Sequence, residues 1–400
     1  MKITEIEAIE VTVPVHAPLR FAYGVHIAVT RTIVKIHTDT GLVGLGETAA
    51  TAEQVKRLGA PIIGQSPWDL EVIRNIISNR FYWSREPLVA SALEMACIDL
   101  MGKSADVPAY RLMGGKVRPS INMAAYCFYL YGADDGRQAE VGTPEEMAEH
   151  AATLCDTYGF KTVKLKGGVL PAIEEVRTME AIRARLGPDI RLRLDPQSAW
   201  TVETAIEMAP RLEAVGLEYY EDPVAGQANM ATVRSRTTLA LSTNMCVTSF
   251  AELGPAVQIG AIDVVLTDPW YWGGPTQVKA LDLVARTMGV GLSMHSGIEL
   301  GIGMAVMAHT GVTMVGLTAA VDAHYHHLRD DVIKGPMLLP KDGVLAPPEG
   351  PGWGVELDEG KLAKYAEIHR SGIYRNVYVE ANATGPDANR PGWFPIIPGW

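Results

Sequence analysis

Thr162-Val163-Lys164-Leu165-Lys166 is a short apolar run that carries two lysines at its end, and it opens a series of similar runs. Each later run also ends on a polar residue that can take part in chemistry. These ends follow Lys166 at intervals of 23 to 29 residues, at Asp195, Glu221, Asn244, Asp268 and His295. The segments between them have helical apolar spacing, so the stretch indicates a repeating unit of one strand and one helix.

Strands that alternate with helices at this period predict a parallel β-barrel surrounded by helices. The predicted strands are 162–166, 190–195, 217–221, 239–244, 262–268 and 291–295, with helices such as 173–186 and 202–215 between them. In a barrel the carboxyl ends of the strands meet at one rim, where active sites lie. A doubly wound sheet with Asp195 and Asn244 as helix N-caps is the alternative. Caps alone would not supply two lysines, two carboxylates and a histidine in one series.

Composition and charge limit the classes of function. The chain has 400 residues, 48% hydrophobic and 20% charged, which suits a globular protein with a barrel and a second domain. The formal net charge of −11 argues against nucleic acid or an anionic membrane surface as partner and favours a small molecule. No stretch approaches the roughly 20 apolar residues of a membrane span.

Cysteine spacing and the N-terminus bear on the compartment. The four cysteines form no Cys-x-x-Cys pair, and the first residues alternate polar and apolar where a secretory signal would be uninterruptedly apolar. We therefore expect a cytoplasmic protein with reduced thiols. We also expect a homo-oligomer.

The sequence on either side of the barrel has a different pattern. We predict an α+β domain at 1–125, the barrel at 126–325 and a C-terminal segment at 326–400, with a boundary signal near Arg118-Pro119-Ser120. The first domain has predicted antiparallel strands at 3–13 and 30–47, a loop between Val13 and Thr30, and helices from Glu53 to Lys103. The C-terminal segment has one predicted helix, 360–370, and we expect it to pack back on the first domain.

The series of strand ends resembles the enolase superfamily and, within it, the glucarate dehydratase subgroup. Further stretches are similar to that subgroup and span nearly the whole chain. They are Tyr158-Gly159-Phe160, Lys164 to Val169, Asp195-Pro196, Ala199-Trp200, Glu221-Asp222-Pro223, Thr243-Asn244-Met245, Asp268-Pro269, His295-Ser296 and Ile397-Pro398-Gly399-Trp400.

The resemblance implies an α/β fold: a (β/α)7β TIM-like barrel with an α+β capping domain that the C-terminal segment completes. It also implies Mg²⁺-assisted removal of the proton α to a carboxylate. We therefore expect a small-molecule carboxylate substrate and a Mg²⁺-dependent acid-sugar dehydratase, a hydro-lyase that yields a 2-keto-3-deoxy acid.

Asp195, Glu221 and Asn244 are the predicted metal ligands. Two carboxylates and an amide oxygen make a hard, all-oxygen site that suits Mg²⁺, whereas zinc would favour His or Cys. The alternative is that the two carboxylates are salt-bridge partners of Lys164 and Lys166.

Lys164 and Lys166 lie two residues apart on a strand, so both point to the same face. Each cation then disfavours the positive charge on the other, and we expect this to lower the pKa of each lysine. The resemblance assigns Lys166 as the general base and Lys164 as its electrostatic neighbour and a carboxylate contact. Two solvated lysines are the alternative.

Asp268 and His295 end neighbouring strands and are predicted to form an acid/base pair. A carboxylate beside an imidazole fixes its tautomer and stabilises its protonated form. We expect His295 to act on the substrate face opposite Lys166.

Four further residues are candidate substrate contacts. His26 and Tyr126 match substrate-contact positions of the resembled subgroup, while Ser296 follows the predicted acid/base histidine. His324 lies in the loop after the eighth strand, and each of these side chains has a structural role as its alternative.

The sequence also departs from the subgroup at two places near the site. Gly297-Ile298-Glu299 stands where known glucarate dehydratases have Asn-Asn-His, and Gln197-Ser198 stands where they have Asn-Gly. These departures leave the acid sugar open. A racemase or epimerase is the enzymatic alternative, and a non-catalytic protein that binds acid sugars is the alternative from a second class.

Overall fold

The computed structural model describes residues 1–78, 86–133 and 135–374, together with the backbone of Tyr378 and Val379. The stretch 397–400, one of those on which the resemblance was based, lies outside the described residues. Among the described helices, none combines the length and the apolar character needed to cross a membrane.

The chain begins with an antiparallel sheet of three long or moderate strands. They are β1 (Ile3–Phe21), β2 (Gly24–Thr38) and β3 (Val43–Thr48). The predicted loop between Val13 and Thr30 is wrong, because β1 and β2 continue through it and pair as far as Phe21 with Gly24. An irregularity between Pro14 and Leu19 lets the ladder accommodate residues that disfavour regular strands.

Helices cover one face of this sheet, in the region where the sequence predicts them. They are α1 (Ala52–Gly59), α2 (Leu70–Ser78) and α3 (Pro87–Ala105). The short α4 (Ala109–Leu112) follows beyond the predicted helical region and packs on α3. α3 packs directly on β3, since a Cβ at Gly46 would lie 2.2 Å from the carbonyl oxygen of Ala92. Only glycine allows so close an approach.

The central region is a repeat of parallel strands and helices. In chain order it contains β4 (Ile121–Phe128), α5 (Pro144–Tyr158), β5 (Thr162–Lys166), α6 (Ala172–Leu186), β6 (Arg191–Asp195), α7 (Val202–Val215), β7 (Leu217–Glu221), α8 (Gln227–Arg234), β8 (Leu241–Thr243), α9 (Phe250–Gln258), β9 (Val264–Thr267), α10 (Pro275–Met288), β10 (Gly291–Met294), α11 (Gly301–Gly311) and β11 (Val321–Ala323). β5 and β7 have the predicted bounds. The other predicted strands are present and start or end one or two residues inside the predicted limits.

These strands form a closed (β/α)7β barrel. The strands pair in parallel in the order β10-β9-β8-β7-β6-β5-β4-β11. The ring closes where the amide of Ala319, just before β11, donates to the carbonyl oxygen of Leu292 on β10 at 3.1 Å. The predicted fold class is therefore confirmed, and the doubly wound sheet is excluded. The predicted limits at residues 125 and 325 fall inside β4 and inside a short 3₁₀ turn, Tyr325–His327, so the exact division into domains stays a prediction.

The C-terminal segment returns to the first domain, as the sequence predicts. After β12 (Val344–Leu345), which pairs with β4, helix α12 (Glu359–Ser371) lies against β1 and β2. His369 of this helix contacts the hydroxyl of Thr12 at 3.0 Å. A last short strand, β13 (Tyr378–Val379), pairs with β2. The N-terminal region and the C-terminal segment together form the capping domain.

Candidate active site

The carboxyl ends of the barrel strands form one side of a cavity, and the capping domain forms the other. The cavity has a volume of about 420 Å³. Seven predicted site residues line it: His26, Tyr126, Lys166, Asn244, His295, Ser296 and His324. The other four lie buried beneath its surface: Lys164, Asp195, Glu221 and Asp268. The structure thus brings all of the predicted site residues into one region.

Lys164 is the centre of a buried ionic cluster inside the barrel. Its Nζ lies 2.6 Å from Oε1 of Glu221, 2.7 Å from Oδ2 of Asp322 and 3.3 Å from Oδ2 of Asp195. Burial opposes its charge, but the carboxylates of Asp322 and Glu221 outweigh burial and raise the pKa of Lys164 well above its usual value. The expectation that the neighbouring lysine lowers this pKa is therefore wrong. Lys164 is held as a cation.

Lys166 reaches the cavity from the end of the same strand. Its Nζ donates to Oδ2 of Asp195 at 2.7 Å, and the hydroxyl of Tyr126 donates to the same oxygen at 3.0 Å. Burial acts to raise the pKa of Asp195, but Lys166 and Lys164 outweigh it and lower that pKa. The Tyr126 hydroxyl is thus engaged with Asp195, so what this residue presents to the cavity is its ring.

The predicted metal ligands come from three successive strand ends, and their chemistry fits a divalent cation. Oε2 of Glu221 is buried without a hydrogen-bond partner in the described part of the chain. Asn244 lines the cavity and is held by its backbone N–H, which donates to Oδ2 of Asp222 at 2.8 Å. Among the described residues there is no metal-binding cluster of three or more His, Cys, Asp or Glu. The predicted set instead combines two carboxylates with the amide of Asn244.

His295 and Asp268 meet at the carboxyl ends of β10 and β9, which are three and four strands away from β5, the strand of Lys166, around the ring. Nδ1 of His295 lies 3.3 Å from Oδ2 of Asp268. The other carboxylate oxygen of Asp268 accepts hydrogen bonds from the backbone N–H groups of Trp270 at 2.8 Å and Tyr271 at 2.6 Å. These bonds fix the carboxylate, so it can hold the imidazole with Nε2 free to face a substrate.

The other candidate contacts lie at the upper wall of the cavity. His26 stacks on Phe21 at 4.1 Å between ring centroids, and burial together with Arg31 and Lys166 lowers the pKa of His26 to about 3. It is therefore neutral. The hydroxyl of Ser296 lies 2.7 Å from Nδ1 of His324, and both side chains are buried.

Three further residues belong to this region, and none of them was predicted from the sequence to have a role in the site. Asp322 contacts Lys164 from β11. Arg31 enters the cavity from β2 and donates to the carbonyl oxygen of Gly297. Glu299 is buried and accepts a hydrogen bond from Ser296 at 2.6 Å. Of the three, only Glu299 carried a signal, as a departure from the resembled subgroup.

Asp322 also connects Lys164 to a second buried cation. Its Oδ1 accepts a bond from Arg193 at 3.2 Å, and Arg193 is completely buried in the barrel on β6. The guanidinium of Arg193 also binds Glu218 at 2.7 Å. One carboxylate thus contacts two interior cations, each of which also has another carboxylate partner.

We expect Asp322→Asn to lower the free energy of unfolding by about 3–5 kcal/mol, because Lys164 and Arg193 lose the carboxylate they share. Chemical denaturation in metal-free buffer measures this. The control is Glu149→Gln, which removes a surface carboxylate 2.7 Å from Arg185, and we expect it to leave the denaturation midpoint unchanged. A wild-type midpoint for Asp322→Asn would mean that the remaining carboxylates compensate.

Two family models cover most of the chain. Residues 3–114 match the mandelate racemase / muconate lactonizing enzyme N-terminal domain, and residues 146–361 match the enolase C-terminal domain-like family. The chain belongs to the enolase superfamily.

Individual members of the superfamily that resemble this chain have different reactions in their names. A probable glucarate dehydratase of Streptomyces coelicolor is 37% identical over 86% of this chain and 87% of its own length. An N-succinyl-L-Arg/Lys racemase of Bacillus cereus is 27% identical over 90% of this chain and 97% of its own. The crystal structure of an enolase from Thermobispora bispora, complexed with magnesium and formate, is 37% identical with a TM-score of 0.89, covering 93% of this chain and 94% of that one. Membership in the superfamily therefore does not by itself decide the reaction.

Proposed function

We propose that this enolase-superfamily chain is a Mg²⁺-dependent acid-sugar dehydratase. The observation that carries the proposal is the placement of Lys166 and His295 in one cavity, on strands β5 and β10, with an all-oxygen ligand set beside them. Two comparisons support the proposal. The sequence is 37% identical to that of a probable glucarate dehydratase, and a similar crystal structure contains magnesium and formate.

The chain's own residues account for the movement of protons. Lys166 or His295, whichever faces the α-hydrogen, accepts that proton as general base. The other side chain donates a proton to the hydroxyl on the β-carbon, since hydroxide is a poor leaving group. The C–O bond breaks, water leaves, and the resulting enol becomes a 2-keto-3-deoxy acid. Asp268 stabilises the protonated form of His295 during this exchange.

The predicted cofactor, Mg²⁺, would be held by Asp195, Glu221 and Asn244. When bound, it would stabilise the negative charge that develops on the substrate carboxylate as the α-carbon loses its proton. Lys164 lies under this site as a fixed cation and adds to the positive potential. Tyr126 and Lys166 orient Asp195 through the hydrogen bonds to its Oδ2.

The cavity is suited to an anionic, polar substrate. No acidic side chain of the described residues lines it, while Lys166 and Arg31 bring positive charge to its inner and outer ends. Gln197 and Ile298 also line the cavity, and both stand at positions where the sequence departs from the glucarate subgroup. The side chains that contact the substrate at these positions would therefore differ from those of that subgroup. We therefore propose an acid sugar and leave glucarate as one candidate among several.

A racemase or epimerase is the second candidate, because acid/base groups on two sides of a cavity allow a proton to leave one face and return to the other. Product analysis separates the two reactions. We would incubate the Mg²⁺-loaded protein with a library of mono- and diacid sugars and examine the products by NMR and by a keto-acid assay. Loss of water supports the dehydratase, and a stereoisomer supports the epimerase. The double variant Lys166→Ala, His295→Asn is the inactive control.

A non-catalytic acid-sugar-binding protein is the remaining alternative. It would bind members of the library but would leave their α-hydrogens unexchanged in D₂O. Binding without exchange for every member would therefore overturn the proposed enzyme.

A further inference from the structure

A chain of three buried side chains lies beside the cavity and is not used by the proton transfers described above. The hydroxyl of Ser296 lies 2.6 Å from Oε2 of Glu299 and 2.7 Å from Nδ1 of His324. The same hydroxyl oxygen accepts a bond from the backbone N–H of His324 at 3.2 Å. Nε2 of His324 is buried and has no hydrogen-bond partner within the described residues. His324 lines the cavity, so this nitrogen is available to a ligand.

The direction of the hydrogen bonds follows from counting protons. A serine hydroxyl has one proton and a carboxylate has none, so Ser296 donates to Glu299. The Ser296 oxygen must then accept from Nδ1 of His324. A neutral imidazole has one N–H, so Nε2 carries a lone pair. Burial lowers the pKa of His324 well below its usual value, which keeps the ring neutral.

The charge state of Glu299 decides this direction. Burial raises the pKa of Glu299, and the bonds from Ser296 and from the backbone N–H of Gly297, together with the nearby His295, limit this rise. Each carboxylate oxygen of Glu299 faces a hydrogen-bond donor, as an ionised carboxylate requires. The backbone N–H of Gly297 also fixes the orientation of Glu299, because it donates to Oε1 and leaves Oε2 for Ser296.

The ring of His324 is also fixed in position. It packs 4.5 Å from the ring of Tyr126 and 4.9 Å from that of Phe128, measured between centroids, and Phe21 stacks farther out at 6.3 Å. A ring enclosed in this way cannot flip to exchange its two nitrogens without displacing its neighbours. Its one unsatisfied atom therefore stays directed to the same place.

We infer that Glu299 and Ser296 hold His324 as the Nδ1–H tautomer, so that Nε2 accepts a hydrogen bond from a hydroxyl that the substrate keeps. The leaving hydroxyl is excluded as the partner, because its oxygen must gain a proton, whereas Nε2 offers only a lone pair. The partner is thus either the α-hydroxyl, whose oxygen becomes the keto group, or a hydroxyl farther along the substrate. The contact with a substrate hydroxyl rests on the proposed function, whereas the tautomer of His324 does not.

The first test reads the tautomer directly, without substrate. Histidine labelled with ¹⁵N in the ring is incorporated into the full chain, and His324 is assigned by the signal missing in His324→Phe. We expect Nδ1 to be protonated and Nε2 unprotonated at neutral pH. A protonated Nε2 in the wild type would overturn the inference.

Glu299→Gln should reverse the direction of the hydrogen bonds that connect residue 299, Ser296 and His324. The amide oxygen of the new side chain faces the Gly297 N–H, so its NH₂ group faces Ser296 and donates to it. Ser296 must then donate to Nδ1 of His324, which moves the ring proton to Nε2. We expect this tautomer change in Glu299→Gln and a mixture of tautomers in Ser296→Ala. As a matched control, Asp282→Asn alters another buried carboxylate, which binds the backbone of Gly316 at 2.7 Å, and should leave the His324 signals unchanged. An unaltered His324 tautomer in Glu299→Gln would contradict the inferred control of this tautomer by Glu299 and Ser296.

The second test addresses the hydroxyl. Hexonates and hexarates are titrated into the Mg²⁺-loaded wild type, with propionate as the acid that has no hydroxyl. We expect the Nε2 signal of His324 to move with at least one sugar acid and not with propionate. For a sugar acid that is turned over, Glu299→Gln should lower kcat/KM by about tenfold or more, since an acceptor has become a donor. If every sugar acid that binds leaves the Nε2 signal unmoved, or if the variant turns over a sugar acid as well as the wild type does, the hydroxyl contact is overturned. Failure of every sugar acid to react would instead refute the proposed function and leave the tautomer result standing.

Discussion

Lys166→Ala will abolish exchange of the α-hydrogen in D₂O for one α-epimer of the substrate and preserve it for the other, and His295→Asn will show the reverse pattern. The reason is geometric. Lys166 is on β5 and His295 on β10, and both line the same cavity from strands that are not neighbours in the barrel. Each base reaches only the epimer that presents its hydrogen on that side. Loss of about 10²-fold or more is expected on removal of a general base.

Exchange is the better measurement than dehydration for this prediction. Dehydration needs a base for the α-hydrogen and an acid for the departing hydroxyl, so either variant can lose it completely. Proton exchange followed by NMR needs the base alone. Lys161→Ala is the matched control, because Lys161 is exposed just before β5 and has no place in the cavity. If either variant loses exchange with both epimers while it keeps its fold and its metal, one residue alone is the base and the two-sided arrangement is refuted.

The barrel and its rim could be predicted because their signals are local. Each of the strands that end near Asp195, Glu221 and His295 is a short strand-like segment with apolar residues inside it. Its polar end falls on the rim of the barrel whichever strand lies beside it. The chemistry of the residues then follows from their shared position. The same local reading was enough for the helix at 202–215, where both ends are correct.

The first two strands were predicted too short because local residue preferences favour a loop where burial in the fold favours strands. Pro14 and Gly24 disfavour a strand locally. In the fold, however, Leu19 pairs with His26 and is completely buried. Burial of these apolar side chains outweighs the local preference for a loop. His26 thereby reaches the cavity from a strand instead of a flexible segment.

Asp322 and the charge of Lys164 could not be predicted for a related reason. Asp322 is the middle residue of a three-residue strand, where an aspartate usually faces solvent. Its role is visible only when β4, β5 and β11 are neighbours, which places it 2.7 Å from Lys164. The sequence pattern shows that Lys166 lies two residues from Lys164, and this neighbour alone would lower the pKa of Lys164. It does not show that Asp322, which raises that pKa, lies beside Lys164 in the fold.

Glu299 shows the limit of reading a site from its series of strand ends. It stands four residues after the acid/base histidine and reaches the cavity only through Ser296 and His324. Nothing in the spacing distinguishes it from a helix N-terminal carboxylate. The hydrogen bonds of the folded chain are needed to connect it with the site.

Glu221→Ala will reduce the affinity for Mg²⁺ by more than about 100-fold and abolish turnover. Loss even of groups that only support a metal ligand costs 10- to 100-fold in affinity, so loss of a ligand itself should cost more. Oε2 of Glu221 is the buried oxygen with no partner among the described residues, while Oε1 binds Lys164. The substitution therefore removes an available ligand and leaves the fixed cation of Lys164 facing the site with less negative charge. Both changes oppose binding of a second cation.

Calorimetric titration of chelator-treated protein with Mg²⁺ measures this affinity without reference to any substrate. The wild type should lose activity with the chelator and regain it on addition of Mg²⁺. Asp282→Asn is again the control, since its carboxylate binds backbone N–H groups far from the cavity and should not affect the metal. Glu221→Ala with wild-type affinity would show that the buried oxygen is not a ligand and would place the metal elsewhere. Full activity of the metal-free wild type would refute the proposed Mg²⁺-assisted reaction, because the charge that develops on the substrate carboxylate would then be stabilised without a metal ion.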